Sequence, residues 1–396
     1  MRIGRVTYHA SAKPMRHNLT TASRCPRPVS AEARLAALAF VALAIVGCSS
    51  PETPATPATA TPAPTTPAPP TPAPPELTFT KGERKMMGTI VMITVATVTG
   101  AEQTQAAPAI EAALDEMQRL ERVLSEWDPD SEISRINQNA GRAVVVSAET
   151  LTVVKAGLEV SRWSEGGYDI SWAALRDQYT FQPNEARAPD MSLVRKKLPL
   201  VRYQDVLVDD AASTVRLKRP GMQIGTGSIA KGYALDRATA ILVERGLTSF
   251  MIFGGGQVQV HGMKGSRPWR VGIQHPRKDD YFGFAEAVDV SISTSGDYEH
   301  SFTADGRRWH HILDLRTGLP IAHTTSVTVI AKSGIYADAM STAVFVLGAE
   351  RALAKLADAP GQPEVVIVDS EMRLHLGPNM RDKLVLKAPL NGDRLP

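Results

Sequence analysis

Hydrophobic positions recur along this chain with two periods. From Lys85 to Val98, KMMGTIVMITVATV alternates β-branched and other residues and predicts a strand. Between Ala101 and Ser125, Ile110, Ala113, Leu114, Met117, Leu120 and Leu124 fall three and four apart, the stripe of a core-facing helix. A polar loop, SEWDPDSEISRIN, separates it from a second helix, SAETLTVVKAGLEVSRWS, which Ser147 opens as a cap. VLVDDAASTVRLKR predicts a hairpin that turns at Asp209-Asp210-Ala211-Ala212. SIAKGYALDRATAILVERG predicts a helix ended by Gly246. SFMIFGGGQVQVHG, WRVGIQHP, AVDVSISTSGDY, RWHHILDLRTG and TTSVTVIAK predict strands with glycine-rich or polar ends, and YADAMSTAVFVLGAERALAKLAD the last helix. Strands mixed with separate helices favour α+β over a regular βαβ array.

The N-terminal part has a different pattern. Arg34 precedes the apolar run Leu35 to Val46, too short to span a bilayer comfortably, followed by Gly47 and Cys48. Residues 1–47 are therefore expected to be a secretion signal, and the context Ile45-Val46-Gly47-Cys48 resembles the lipobox of bacterial lipoproteins, whose cysteine carries lipid. Residues 48–76 form a Pro/Ala/Thr tract that builds no packed core and serves as an extended tether. The folded domain is expected to run over 77–396, held off a membrane surface by the lipid on Cys48. The other cysteine, Cys25, lies in the part to be removed, which leaves no disulfide or thiolate metal site. A net charge of +3 from 44 basic and 41 acidic residues, without long runs of one sign, gives no sign of a nucleic-acid surface.

Chemistry concentrates in GTGSIAKGYALD, from Gly225 to Asp236. Gly225 to Ala230 matches the dinucleotide pattern G-x-G-x-x-A, but the stretch follows an antiparallel hairpin where that pattern needs a βαβ unit, and Lys231 lacks the Ser or Thr that a Walker loop requires. What both share survives: a glycine turn, amides at a helix N-terminus and a lysine in the first turn, suited to an anion. A plain glycine turn with a surface lysine is the competing account. In YADAMSTAVFVLG, Asp338 and Thr342 share one helix face, and a carboxylate plus a hydroxyl suits Mg²⁺ beside phosphate, with Ca²⁺ or Mn²⁺ as other hard cations. Thr342 bonding back to its own helix is the alternative. STSGDY ends a strand with polar groups, and His310 and His311 alternate across another, so at most one of them enters a site.

Taken in order, MMGT, SEWDPDSEISRIN, GGYDISWAAL, GTGSIAKGYALDRA, FGGGQVQVHG, STSGDYEHSF, HHILDLRTGLP and ADAMSTAVFVLG resemble the ApbE family, the FAD:protein FMN transferases. The resemblance runs from about Leu77 to the C-terminal region and implies a T-fold-like α+β architecture, with FAD in a cleft between two lobes. It implies metal-dependent transfer of the FMN half of FAD to a threonine hydroxyl of an acceptor flavoprotein with a Ser/Thr-rich motif, releasing AMP, in the periplasm at the cell envelope. By the same resemblance Asp338, Thr342 and the carbonyl of Ser228 hold the metal. Lys231, Met87, Trp127, Tyr168 and Asp169 contact FAD, and His311 takes the proton from the acceptor. The family places an aspartate that contacts FAD where this chain has Gly225, and a threonine where it has Ser171. Hydrolysis of FAD to FMN and AMP, or flavin binding without catalysis, are the competing functions.

Overall fold

The computed structural model describes residues 76–98, 100–182, 185–387 and 390. The expected signal segment, Cys48 and the tether up to residue 75 lie outside the described residues.

One eight-stranded sheet organises the domain: β1 (Thr78–Met86), β2 (Thr89–Thr97), β3 (Phe250–Gly254), β4 (Gln257–His261), β5 (Val290–Gly296), β6 (Thr324–Ala331), β7 (Glu364–Asp369) and β8 (Leu374–Leu376). Its spatial order is its chain order, and each neighbouring pair is antiparallel. This removes the βαβ setting that the dinucleotide pattern needs.

The stretch from Lys85 to Val98 is the end of one strand, a turn and a second strand, a correction to the single strand expected there. Met87 and Gly88 both have positive φ, 50° and 71°, as a two-residue hairpin turn of the primed type demands. Alternation continues across the turn, so periodicity alone does not reveal it. SFMIFGGGQVQVHG is likewise a hairpin, β3 and β4. SEWDPDSEISRIN is not all loop, because Glu132–Gln138 is helical, with Ser131 accepting from the Ser134 amide at 3.0 Å.

The helices are α1 (Gly100–Leu124), α2 (Glu132–Gln138), α3 (Ala148–Trp163), α4 (Ala230–Glu244) and α5 (Gly334–Lys355). Residues Val91, Ile93, Val95, Phe250, Ile252, Val327 and Val329 point to one face of the sheet, in one apolar core with Ile110, Leu114 and Met117 of α1, Leu235 and Ala238 of α4, and Met340 and Phe345 of α5. On the other face Val258, Val260, Ile292, Ile330 and Val366 pack against a small sheet of Trp269–Gln274, Tyr281–Ala287 and Leu384–Leu386. The order is helices, large sheet, small sheet, an α+β arrangement. Beneath α5 the helix-facing side of β4 and β5 turns polar: Gln257, Gln259, Ser291 and Ser293 are buried there. That break in the apolar face marks the functional region.

Candidate functional site

The site forms where α4 and α5 meet. Gly232 lies against Gly334, and a Cβ on Gly232 would collide with the Gly334 carbonyl oxygen, so the approach requires glycine. Asp236, one turn further along α4, caps α5: its carboxylate accepts from the amides of Gly334 at 2.6 Å and Ile335 at 3.0 Å, and from Ser333 Oγ at 2.8 Å. Gln257 Nε2 donates to the Gly334 carbonyl at 3.0 Å. α4 and β4 thereby fix the start of α5 and the residues one turn into it.

Asp338 is buried, and its Oδ2 accepts from the Gly232 amide at 3.0 Å. In a continuing helix that amide would donate to the carbonyl of Ser228. Diverted to Asp338, it leaves the Ser228 carbonyl with no hydrogen-bond donor among the described residues. Burial pushes the Asp338 carboxyl upward, opposed by the charge of Lys231 and the Gly232 amide. Across from it, Ser295 Oγ at the end of β5 lies 2.8 Å from Ser341 Oγ and 3.5 Å from Thr342 Oγ1. Ser341 also donates to the Asp338 carbonyl at 2.8 Å. The bond back to the helix that was weighed for Thr342 is thus made by Ser341, and the Thr342 hydroxyl faces Ser295.

The donor set is a buried carboxylate short of positive charge, hydroxyls and an unpaired carbonyl. Such hard oxygens fit Mg²⁺ or a related cation. No three His, Cys, Asp or Glu side chains cluster as metal ligands among the described residues, so the fit rests on the carbonyl and hydroxyl oxygens beside one carboxylate.

The glycine turn carries less free hydrogen-bonding capacity than its sequence suggests. The Gly225 amide donates to the Ile170 carbonyl at 2.9 Å, and the amides of Ile229 and Ala230 donate to the Thr226 carbonyl at 3.0 and 2.8 Å. Thr226 and Gly227 give theirs to the Glu126 carboxylate. An open nest of amides for pyrophosphate is absent from Gly225 to Gly227, which corrects that expectation. Gly225 is itself buried, with Glu126 and Trp172 packed where a side chain would stand. Lys231, partly exposed, reaches the Gly255 carbonyl only at 3.5 Å and remains able to meet an anion.

Tyr168 is buried, and its hydroxyl accepts from Ser228 Oγ at 3.3 Å. Burial first, and then the charges of Asp338, Asp169 and Glu126, push its phenol upward, so it stays neutral. Asp169 is spent on the protein: its carboxylate accepts from the Ser171 amide at 2.8 Å, Ser171 Oγ at 2.6 Å and the Tyr203 amide at 2.8 Å, capping the turn Ile170–Gln178. These bonds tie Asp169 into the cap, where Ser171 fills the threonine's place. Met87 sits at the tip of the first hairpin, where Glu121 Oε1 accepts from its amide at 2.6 Å. Trp127 is 74% exposed, with the Arg176 guanidinium 4.7 Å from its ring centroid, and offers a flat apolar face.

The two histidines part company as alternation requires. His310 is buried and donates from Nε2 to the Ile321 carbonyl at 2.9 Å while Nδ1 accepts from the Ile312 amide at 3.3 Å; it belongs to the core. His311 is exposed, although protein crowds its ring. Exposure and crowding pull its imidazole in opposite directions. Crowding by protein is the largest influence and lowers the pKa; the nearby His300, His310 and Lys231 add to it, and a backbone hydrogen bond at Glu299 opposes it. Its pKa is held well below the usual histidine range and the ring is neutral near pH 7.

Sequence reasoning missed Glu126, Arg176, Trp172 and Asp236. Asp236 had a local signal, since GYALD places it one helical turn beyond Gly232. Glu126 had none, for it acts on residues a hundred positions away.

Residues 87–367 match the model of the ApbE family. A Vibrio cholerae protein named FAD:protein FMN transferase is 34% identical over 257 residues, 63% of this chain and 75% of the relative. One from Klebsiella pneumoniae is 30% identical over 327 residues, 80% of this chain and 87% of the relative. Among solved structures, the ApbE protein of Thermotoga maritima superposes with a TM-score of 0.70 at 31% identity, covering 77% of this chain and 99% of its own. The flavin transferase ApbE of Vibrio cholerae gives 0.67 at 28% identity, covering 78% and 99%.

Proposed function

The chain belongs to the ApbE family, and from that premise we propose that its α4–α5 site works as an FAD:protein FMN transferase. The enzyme takes FAD as substrate and moves its FMN half to a hydroxyl of an acceptor protein. The acceptor oxygen forms a bond to the FMN phosphorus, the bond from that phosphorus to the bridging oxygen breaks, and AMP leaves with that oxygen. The proton of the acceptor hydroxyl goes to His311, whose neutral ring is in the form that a base needs.

The observation that carries this reading is the displacement of the Gly232 amide from Ser228 to Asp338. One change of partner sets a buried carboxylate beside an unpaired carbonyl, one helical turn from the Thr342 hydroxyl. Asp338, Thr342 and the Ser228 carbonyl would hold Mg²⁺, or Ca²⁺ or Mn²⁺. When bound, such a cation supplies Lewis acidity and offsets charge on the pyrophosphate. Lys231 meets the nucleotide from the first turn of α4, Tyr168 orients Ser228 through its hydroxyl, and Met87 and Trp127 border the flavin. Gly225 and Asp169 support the site without touching FAD.

The acceptor presents a threonine in a Ser/Thr-rich segment. Cys48, carrying lipid after removal of residues 1–47, anchors the enzyme to a membrane with its domain in the periplasm; the apolar run Leu35 to Val46 followed by Gly47-Cys48 supports this. Cys48→Ser is expected to move the protein from the membrane to the soluble fraction, and an unchanged distribution would exclude the anchor.

Incubation with FAD, Mg²⁺ and an acceptor domain tests the reaction. Covalent flavin on the acceptor should appear in step with AMP. Equal AMP release without acceptor would make hydrolysis the main activity, and FAD binding with no AMP at all would leave a carrier.

A further inference from the structure

Two residues far apart in sequence compete for one volume. A Cβ built on Gly225 falls 2.6 Å from Glu126 Oε2 and 2.6 Å from Trp172 Nε1, closer than packed atoms permit. No side chain fits at 225 while Glu126 and the Trp172 ring both hold their places. Glu126 holds its own with several bonds: its side chain is only 7% exposed, and Oε2 accepts from the Thr226 amide at 2.9 Å and from Arg176 Nη2 at 2.9 Å. The Gly227 amide donates to the same carboxylate. Arg176 is itself tied down, since Nη1 donates to the Glu126 carbonyl at 2.8 Å and the guanidinium lies 5.8 Å from the Trp172 ring. Thr226 Oγ1 adds a bond to the Leu124 carbonyl at 2.6 Å.

The end of α1 therefore grips the turn before α4 through one carboxylate that takes two consecutive amides. Those two amides belong to the residues immediately before Ser228. Their direction fixes how the Ser228 peptide is turned, and hence where its carbonyl points.

We propose that Glu126 is the positioning residue of this site: its carboxylate, seated in the room a side chain at 225 would occupy, sets the turn that presents Ser228 and Lys231, and positions 126 and 225 act as one unit. This rests on the reading of that turn as the edge of the FAD and metal site. A residue acting only as a filler of space would tolerate an isosteric neutral replacement. A residue that orients two amides and an arginine by its charge would not.

The test compares the full chain with Glu126→Gln, Glu126→Ala, Gly225→Asp and the double variant Glu126→Ala/Gly225→Asp. FAD affinity is read by flavin fluorescence polarisation with Mg²⁺ and no acceptor, AMP release with acceptor, and integrity by melting temperature. Each single substitution is expected to weaken FAD binding by about tenfold, and the double variant to return within about threefold of the parent, because a carboxylate on residue 225 takes the place Glu126 vacates once the Trp172 ring shifts to admit it. Glu126→Gln should melt near the parent yet bind FAD more weakly; binding unchanged in this variant would overturn the proposal. Losses in the double variant equal to the product of the single losses would overturn it as well. Should Gly225→Asp alone fail to fold while the double variant folds, the shared volume is demonstrated directly; failure of both would count against it. The binding arms judge Glu126 even if the parent releases no AMP, an outcome that would instead remove the transferase reading.

Discussion

At the scale of single residues, neighbouring positions with the same chemistry receive opposite fates from the backbone. His310 and His311 are neighbours at the end of a strand, and one imidazole enters the core while the other faces the surface. Because the His311 pKa is depressed, its basic form is already full at neutral pH and is lost only on strong acidification. Transfer measured as kcat/KM should therefore show no limb near the ordinary histidine value of about 6.5. A limb there that disappears in His311→Ala would contradict this environment. Asp338→Asn keeps an oxygen for the Gly232 amide but removes the charge. AMP release should fall by at least about 100-fold, the several kcal/mol of charge stabilisation a metal site supplies, while the melting temperature stays close to the parent's. That Asp338 and Thr342 share one helix was legible from their spacing. The Gly225 to Gly227 turn was misleading, since a glycine-rich turn looks alike whether its amides await a ligand or already serve a buried glutamate.

At the scale of elements, the site depends on how the start of α5 is held. Asp236 accepts three hydrogen bonds there, so Asp236→Ala should cost about 2 kcal/mol, a fall in melting temperature of roughly 4–8 °C. FAD affinity should fall with it, because α5 carries Asp338; full affinity in a destabilised variant would separate the cap from the site. Gly232→Ala forces the two helices apart and should be worse, costing about 1–3 kcal/mol or more in chemical denaturation. The helices themselves could be read from their apolar stripes. The hairpin at Met87–Gly88 could not, because a methionine occupies a left-handed position usually given to glycine or asparagine, and the flanking alternation runs straight through it.

For the whole molecule, the described core is built from residues 77 onward. β1 begins at Thr78, and both faces of the sheet are covered by residues from Leu77 onward. A chain starting at Glu76 should bind FAD and modify a soluble acceptor at the parent's rate, as a purified truncation would reveal. An inactive truncation would give the proline-rich segment a part in catalysis. The edge strand β1 bears Lys81, Glu83, Arg84 and Lys85, and Arg84 pairs with Asp115 at 2.7 Å and Glu111 at 2.8 Å; charge along an edge discourages pairing with another sheet. The sheet's agreement between order in space and order along the chain also has a bearing on its biosynthesis. A strand emerging from the ribosome can join the growing edge as soon as it appears, so the scaffold assembles progressively. Asp338 and Thr342, however, emerge later. A nascent chain carries the glutamate grip and the lysine long before it carries the acid that would hold a cation, and it stays incompetent until α5 has emerged behind the first six strands of the sheet.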